Sequence, residues 1–166
     1  RYKYAAAAGL NNSFWIYSQH AGGPGPHYEI DMNEGHYTRS INSNIQSSAL
    51  GVKENINYRP DYVETMADDF HTFEMEWNEN EIIYYMDGQQ YFYAKNTMAD
   101  AEKSQVNVLF SVAVLAWAGT PSGDIDGTEM KVDYFRYYQL NDESQVDKES
   151  LYRTISQAEQ AKTGIT

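Results

Sequence analysis

The sequence has no cysteine among its 166 residues. No disulfide and no thiolate metal site can therefore form, and the redox compartment stays open. Basic residues are scarce: 12 Lys and Arg stand against 24 Asp and Glu, a formal net charge of −12. Phosphate binding needs a basic footprint, so this balance excludes nucleic acid and disfavours anionic membrane surfaces as partners. No run approaches the ~18–20 apolar residues of a membrane span. The chain starts at Arg1, with no signal-like segment, and we expect it to be a piece trimmed upstream. A missing export signal then says nothing about location.

Aromatic residues, by contrast, are abundant at 14%, with 15 tyrosines, and hydrophobic content is 42%. Such residues fit pleated, half-buried surfaces, which suits a β-rich protein. The length is that of one domain with a real core.

Alternation marks the strands. In SFWIYS, Phe14, Ile16 and Ser18 share one face and Trp15 and Tyr17 the other. Trp15 is either a core aromatic or a floor on which a sugar stacks. Residues 9–12 carry turn chemistry, and residues 19–27 form a Gly/Pro loop. In RSINSNIQ, Ile41, Ser43 and Ile45 oppose Asn42, Asn44 and Gln46. That amide row suits sugar hydroxyls, or equally an ordinary solvated face.

Residues 47–69 are polar and irregular. Residues 70–77 alternate again, with His71, Phe73, Met75 and Trp77 on one side. Residues 81–94 predict a hairpin, because Asp87-Gly88 suits a type I′ turn. Residues 105–115 predict a buried strand, and residues 129–139 a last alternating strand. Residues 99–103 suggest a helical turn, and residues 141–166 a polar tail or linker, weakly helical between 149 and 162. Short strands, Gly/Pro turns and almost no helix indicate an all-β, antiparallel sandwich over residues 1–140, with a concave face as its cleft.

The chemistry concentrates in YEIDMNEG, residues 28–35. Glu29, Asp31 and Glu34 stand within six residues, beside Ile30 and Met32. On a strand, Glu29 and Asp31 point one way and Ile30 and Met32 the other. Strict alternation would next put Asn33 on the acidic face and Glu34 on the apolar one. One extra residue, a β-bulge at Met32-Asn33, brings Glu34 round to join the other two acids. Glu29 and Glu34 are then about 13 Å apart at Cα by strand rise, which long side chains on a concave strand can close. Glycosidases hold paired carboxyl groups ~5–9.5 Å apart, and a third acid between them can raise a neighbour's pKa or share its proton. The bland alternative is an acidic sheet edge that blocks pairing.

These residues resemble glycoside hydrolase family 16. YEIDMNEG is similar to the bulged E-x-D-x-x-E signature of laminarinase-like and agarase-like members. SFWIYS resembles the Phe-Trp strand before it, DDFHTFEMEWNENEIIYYMDGQQYF the stretch after it, and EMKVDYFRYYQ the final strand. The resemblance implies a jelly roll and a retaining endo-glycosidase acting on a β-glucan or marine galactan. Glu29 would be the nucleophile, Glu34 the general acid/base and Asp31 the assisting carboxylate.

The resemblance also implies a Trp-lined cleft, for which Trp15 and Trp117 are the candidates. His71 is a site candidate or a packed histidine. No cofactor is implied for catalysis. A structural calcium is common in the family and Asp133 matches one of its ligands, whereas Asp124 and Asp126 read as turn residues. We expect a monomer with a polysaccharide substrate, secreted, periplasmic or at the cell surface. Two departures bear on the sugar: Asn33 replaces an apolar residue, and Gln46 stands where many members carry His. The N-terminal strands of the jelly roll are expected to lie upstream of Arg1. A transglycosylase, a non-catalytic carbohydrate-binding sandwich and a purely structural sandwich are the alternatives.

Overall fold

The computed structural model describes residues 1–18, 28–36, 40–47, 52–58, 66–96, 106–121 and 123–139. Ten strands occur among them: β1 Tyr2–Lys3, β2 Leu10–Ser18, β3 Tyr28–His36, β4 Ser40–Ser47, β5 Val52–Tyr58, β6 Phe73–Trp77, β7 Glu81–Met86, β8 Gln89–Lys95, β9 Asn107–Val114 and β10 Lys131–Val132. Every pairing is antiparallel. One sheet runs β5-β4-β3-β2-β9, a second β6-β7-β8, and β1 pairs with β10. By contact, residues 1–133 form one compact unit and residues 134–166 another. The strands lie in the first, and the second is described only over residues 134–139.

The larger of two apolar clusters among the described residues draws on both larger sheets. Phe14, Ile16, Ile30, Met32, Ile41 and Ile45 meet Phe73, Ile82, Tyr84 and Met86 there. Tyr2 and Tyr4 enter the same cluster, with Tyr2 against Phe73 at 4.9 Å and Phe110 at 5.6 Å between ring centroids. The alternation of β2 and β4 explains which face is buried: Phe14 and Ile16, and Ile41, Ser43 and Ile45, all point inward.

The β7–β8 hairpin turns at Asp87 and Gly88, with φ of 48° and 77°. Both central residues are thus left-handed, as a type I′ turn requires. The Asp87 carboxylate supports this by accepting from the Thr72 N–H at 2.9 Å and pairing with His71 Nδ1 at 2.7 Å.

Four expectations are corrected. The strand over residues 105–115 is not buried: β9 is the outer strand of its sheet, and Val108, Val112 and Val114 are exposed. The last alternating run pairs only at Lys131–Val132, because its partner β1 is two residues long. Asn11-Asn12 is not a turn but the beginning of β2. There Asn12 is buried, and its amide imitates a strand neighbour, accepting from the Ala5 N–H at 2.8 Å and donating to the Ala5 carbonyl at 3.2 Å. Residues 52–58, too polar to read as a strand, pair with β4 along their length. The loop at 19–27, the helical turn at 99–103 and the tail after 140 lie outside the described residues.

Candidate active site

The site grows from one irregularity in β3. Against β4, Asp31 pairs with Asn44 and Glu34 with Asn42, so Met32 and Asn33 together oppose one residue, Ser43. Against β2 the register slips at the same place, with Phe14 opposite Asn33 and Trp15 opposite Asp31. This is a β-bulge at Met32-Asn33. Met32 and Asn33 are both buried, and alternation resumes with Glu34 on the face of Glu29 and Asp31.

Residues opposite one another across a ladder share a face, so the registers lay out three rows. The middle row is Leu109, Trp15, Asp31 and Asn44. On one side lie Asn107, Tyr17, Glu29 and Gln46; on the other lie Ser111, Ser13, Glu34 and Asn42. The acids therefore stand one per row, in the middle of a face otherwise made of amides, hydroxyls, two aromatic rings and Leu109.

The amides hold the acids. Asn44 Nδ2 donates to Glu34 Oε2 at 2.6 Å and to Asp31 Oδ2 at 3.2 Å. Gln46 Nε2 donates to Glu29 Oε1 at 2.7 Å. Asn11 Nδ2 donates to Glu34 Oε1 at 3.2 Å and to Ser13 Oγ at 2.8 Å. Glu34 is thus gripped at both oxygens, by donors from the two flanking strands.

Electrostatics separates the three acids. Asp31 is only 4% exposed. Burial raises its carboxyl pKa, and the charges of Glu29 and Glu34 add to this, to about 8. Asp31 therefore holds a proton near neutral pH and shares a hydrogen bond with Glu29. Glu34 is also raised, mainly by burial and then by the charge of Glu29, while its bonds to Asn11 and Asn44 pull it back.

Trp15 lies beside Asp31 in its row, and its indole N–H donates to Ser111 Oγ at 3.1 Å. Its ring meets that of Tyr17 edge-on at 6.1 Å. Trp117 is not in these rows: it lies in the short 3-10 turn Ala116–Ala118 beyond β9, half exposed. His71 is also elsewhere, paired with Asp87 at the β7–β8 turn and with Tyr2 through the backbone. Asp133 Oδ2 is taken by the Arg1 guanidinium at 2.6 Å. Among the described residues no three His, Cys, Asp or Glu gather as a metal set. Asp124 and Asp126 sit in exposed turns.

Sequence reading missed Asn11, Ser13 and Ser111 as neighbours of the site and did not weigh Tyr17. Tyr17 alone was legible, sharing the alternating face of Trp15. Asn11 was masked by turn-like composition, and Ser111 meets the Trp15 indole because β9 pairs with β2, a contact between distant stretches of the chain.

The family described as glycosyl hydrolases family 16 matches residues 1–136. Among curated proteins, the endo-1,3-1,4-beta-glycanase ExsH of Rhizobium meliloti is 29% identical over 139 residues, covering 83% of this chain and 29% of that protein. Among solved structures, the laminarinase catalytic domain of Thermotoga maritima superposes with a TM-score of 0.60 at 26% identity, over 78% of this chain and 57% of that one. The endo-1,3-beta-glucanase (laminarinase) catalytic domain of Thermotoga petrophila gives 0.61 at 25% identity, with the same coverage of 78% and 57%. The chain thus spans less than a third of the curated relative and little more than half of the laminarinase domains. The antiparallel sheets described above are those of a jelly-roll sandwich.

Proposed function

Because this chain belongs to glycosyl hydrolase family 16, we propose that it acts as a retaining endo-glycosidase on internal β-linkages of a β-glucan. The observation that carries this is the bulge, which places Glu29, Asp31 and Glu34 on one face while Asn44 holds Asp31 and Glu34 through a single amide.

In the first step a carboxylate oxygen of Glu29 attacks the anomeric carbon. The glycosidic C–O bond breaks, and the leaving oxygen takes the proton of Glu34. A glycosyl ester on Glu29 results. In the second step Glu34, now a carboxylate, takes a proton from water as that oxygen bonds to the anomeric carbon and Glu29 leaves. Asp31, protonated at neutral pH, donates to Glu29 and steadies its charge as it departs. The raised pKa of Glu34 suits an acid that must hold a proton before the first step.

The names of the relatives favour 1,3- and mixed 1,3-1,4-linked glucans over galactans. Trp15 and Tyr17 would carry sugar rings beside the acids, with Asn44 and Gln46 contributing polar contacts. A polymer of this kind does not cross a membrane unaided, so the enzyme would work outside the cytosol, as a monomer.

The test compares the full-length protein with its Glu29→Gln variant on laminarin, lichenan, agarose and carrageenan. Reducing-end release should be seen with the glucans and lost in the variant, and the first-formed product should keep the β-anomeric configuration by NMR. Unchanged turnover without Glu29, or an α product, would overturn the mechanism. Transfer to a labelled acceptor in place of water would make it a transglycosylase, and binding without turnover a carbohydrate-binding module.

A further inference from the structure

Glu34 is flanked in sequence by two residues that both meet Tyr4. On one side, Asn33 is wholly buried, and its Oδ1 accepts from the Tyr4 hydroxyl at 2.6 Å. On the other side, a Cβ on Gly35 would run into the Tyr4 ring. Asn33 Nδ2 also donates to the Tyr2 hydroxyl at 2.6 Å. The rings of Tyr2 and Tyr4 meet at 5.6 Å between centroids, which closes a ring of three buried side chains. Their backbones are tied away from β3: Tyr2 pairs with His71, and the Tyr4 N–H donates to the Met66 carbonyl at 3.2 Å.

We propose that the Tyr2–Asn33–Tyr4 ring is a positioning device for Glu34, holding the bulge in the register that keeps this carboxylate beside Asp31 and Glu29. The proposal rests on the reading of Glu34 as the acid/base.

The physical ground is a choice between two registers. A side chain on a strand faces in or out, and losing the bulge would restore strict alternation, which exchanges Asn33 and Glu34 between the faces. An amide left to itself belongs on the outer, polar face, because burying it without partners is unfavourable. With Tyr2 and Tyr4 in place, both ends of the Asn33 amide are satisfied inside. The two hydroxyls are equally buried and need the amide in return. Each member therefore disfavours the slipped register. A second pair of donors acts on the same bulge: the Met32 carbonyl accepts from Ser43 Oγ at 2.9 Å and from the Tyr91 hydroxyl at 2.6 Å. An apolar residue at position 33 would pack in the core, but it could not bond the two hydroxyls.

The test uses the full chain with Tyr2→Phe and Tyr4→Phe combined, which strips the buried Asn33 amide of both hydroxyl partners and so favours the slipped register. A triple variant that adds Asn33→Leu is the control: it removes every polar atom of the ring at nearly constant volume, leaves no buried group unpartnered and keeps position 33 inside. Circular dichroism and thermal melting verify the fold. We expect kcat of the double variant to fall on the order of tenfold to a hundredfold, the scale set by a small misplacement of a catalytic group, with KM nearly unchanged, and the triple variant to recover most of that loss. We also expect the 13C titration of the Glu34 carboxyl to move in the double variant, since its contacts to Asn11 and Asn44 change with it. A folded double variant with parental kcat and parental titration would overturn the proposal, as would a triple variant no better than the double. Should the double variant not fold, Tyr4→Phe alone is read by the same two measurements. The titration needs no substrate. A parent protein that cleaves no glucan would therefore count against the glycosidase reading, while the titration still decides on the ring.

Discussion

The Asn44 amide and the Glu34 carboxylate meet at 2.6 Å across the β3–β4 ladder, and the same nitrogen reaches Asp31 at 3.2 Å. One neutral donor thus stabilises the ionised form of two acids that burial drives the other way. Without the bulge, Asn44 could serve Asp31 alone, because Glu34 would face the apolar layer.

Replacing Asn44 with Ala should therefore raise the pKa of Glu34 further. The basic limb of the pH–rate profile, where the general acid loses its proton, should move to higher pH. Activity at the optimum should fall about tenfold to a hundredfold, the worth of one charge-assisted hydrogen bond. An unmoved basic limb in the profile of kcat/KM would contradict the assignment of Glu34 as acid.

Asp31 ties stability to pH. Unfolded, it ionises near its ordinary 3.8; folded, it keeps its proton up to about 8. The folded state therefore binds more protons between these values, and this contribution, complete below 3.8, is lost as pH rises through about 8. Asp31→Asn carries no charge to bury, so most of this slope should vanish, leaving the smaller share of Glu34 with the same sign. The variant should melt above the parent at alkaline pH. Urea unfolding midpoints measured from acid to alkaline pH check this, and parallel curves for the two proteins would refute it.

Gly35 is required by packing. Its added Cβ in Gly35→Ala would meet the Tyr4 ring, and overpacking of this kind costs about 1–3 kcal/mol. In a Tyr4→Leu background the ring is gone, and the penalty of the alanine should shrink. A double-mutant cycle of unfolding free energies reads the difference, and strict additivity would show that the two residues do not interact.

The two tryptophans should differ. Trp15 shares a row with Asp31, whereas Trp117 lies in the turn beyond β9. Trp15→Ala should raise KM roughly tenfold, as for the loss of one aromatic stacking contact of about 1.4 kcal/mol. Trp117→Ala should change KM less. Initial rates on laminarin and lichenan separate the two, and the reverse ranking would move the substrate path toward β9.

Much of this was legible in short stretches. The inward set Ile41, Ser43 and Ile45 follows from alternation, and the bulge follows from the spacing of Glu29, Asp31 and Glu34 against Ile30 and Met32. The Asp87-Gly88 turn was equally plain, since few residue pairs accept two positive φ angles. The polar strand β5 was not legible, because residues 52–58 lack a strong apolar stripe and gain their strand partner only from β4. Nor was the role of Asn33. As a departure from an apolar position it marked a change of sugar, whereas the structure places it in the core, bonded to tyrosines 29 and 31 residues away.

Residue order by itself determined most of the strands, the inward faces of β2 and β4 and the gathering of three acids on one face. Side-chain alternation and a single inserted residue are local properties of the backbone, complete within a few positions. Only the tertiary structure decided what surrounds those acids. The neighbours of β3, the donors Asn11, Asn44 and Gln46, and the burial that carries Asp31 to about 8 all depend on strands brought together from distant parts of the chain. Burial and cross-strand register are long-range quantities, fixed when the sheets close over a common core.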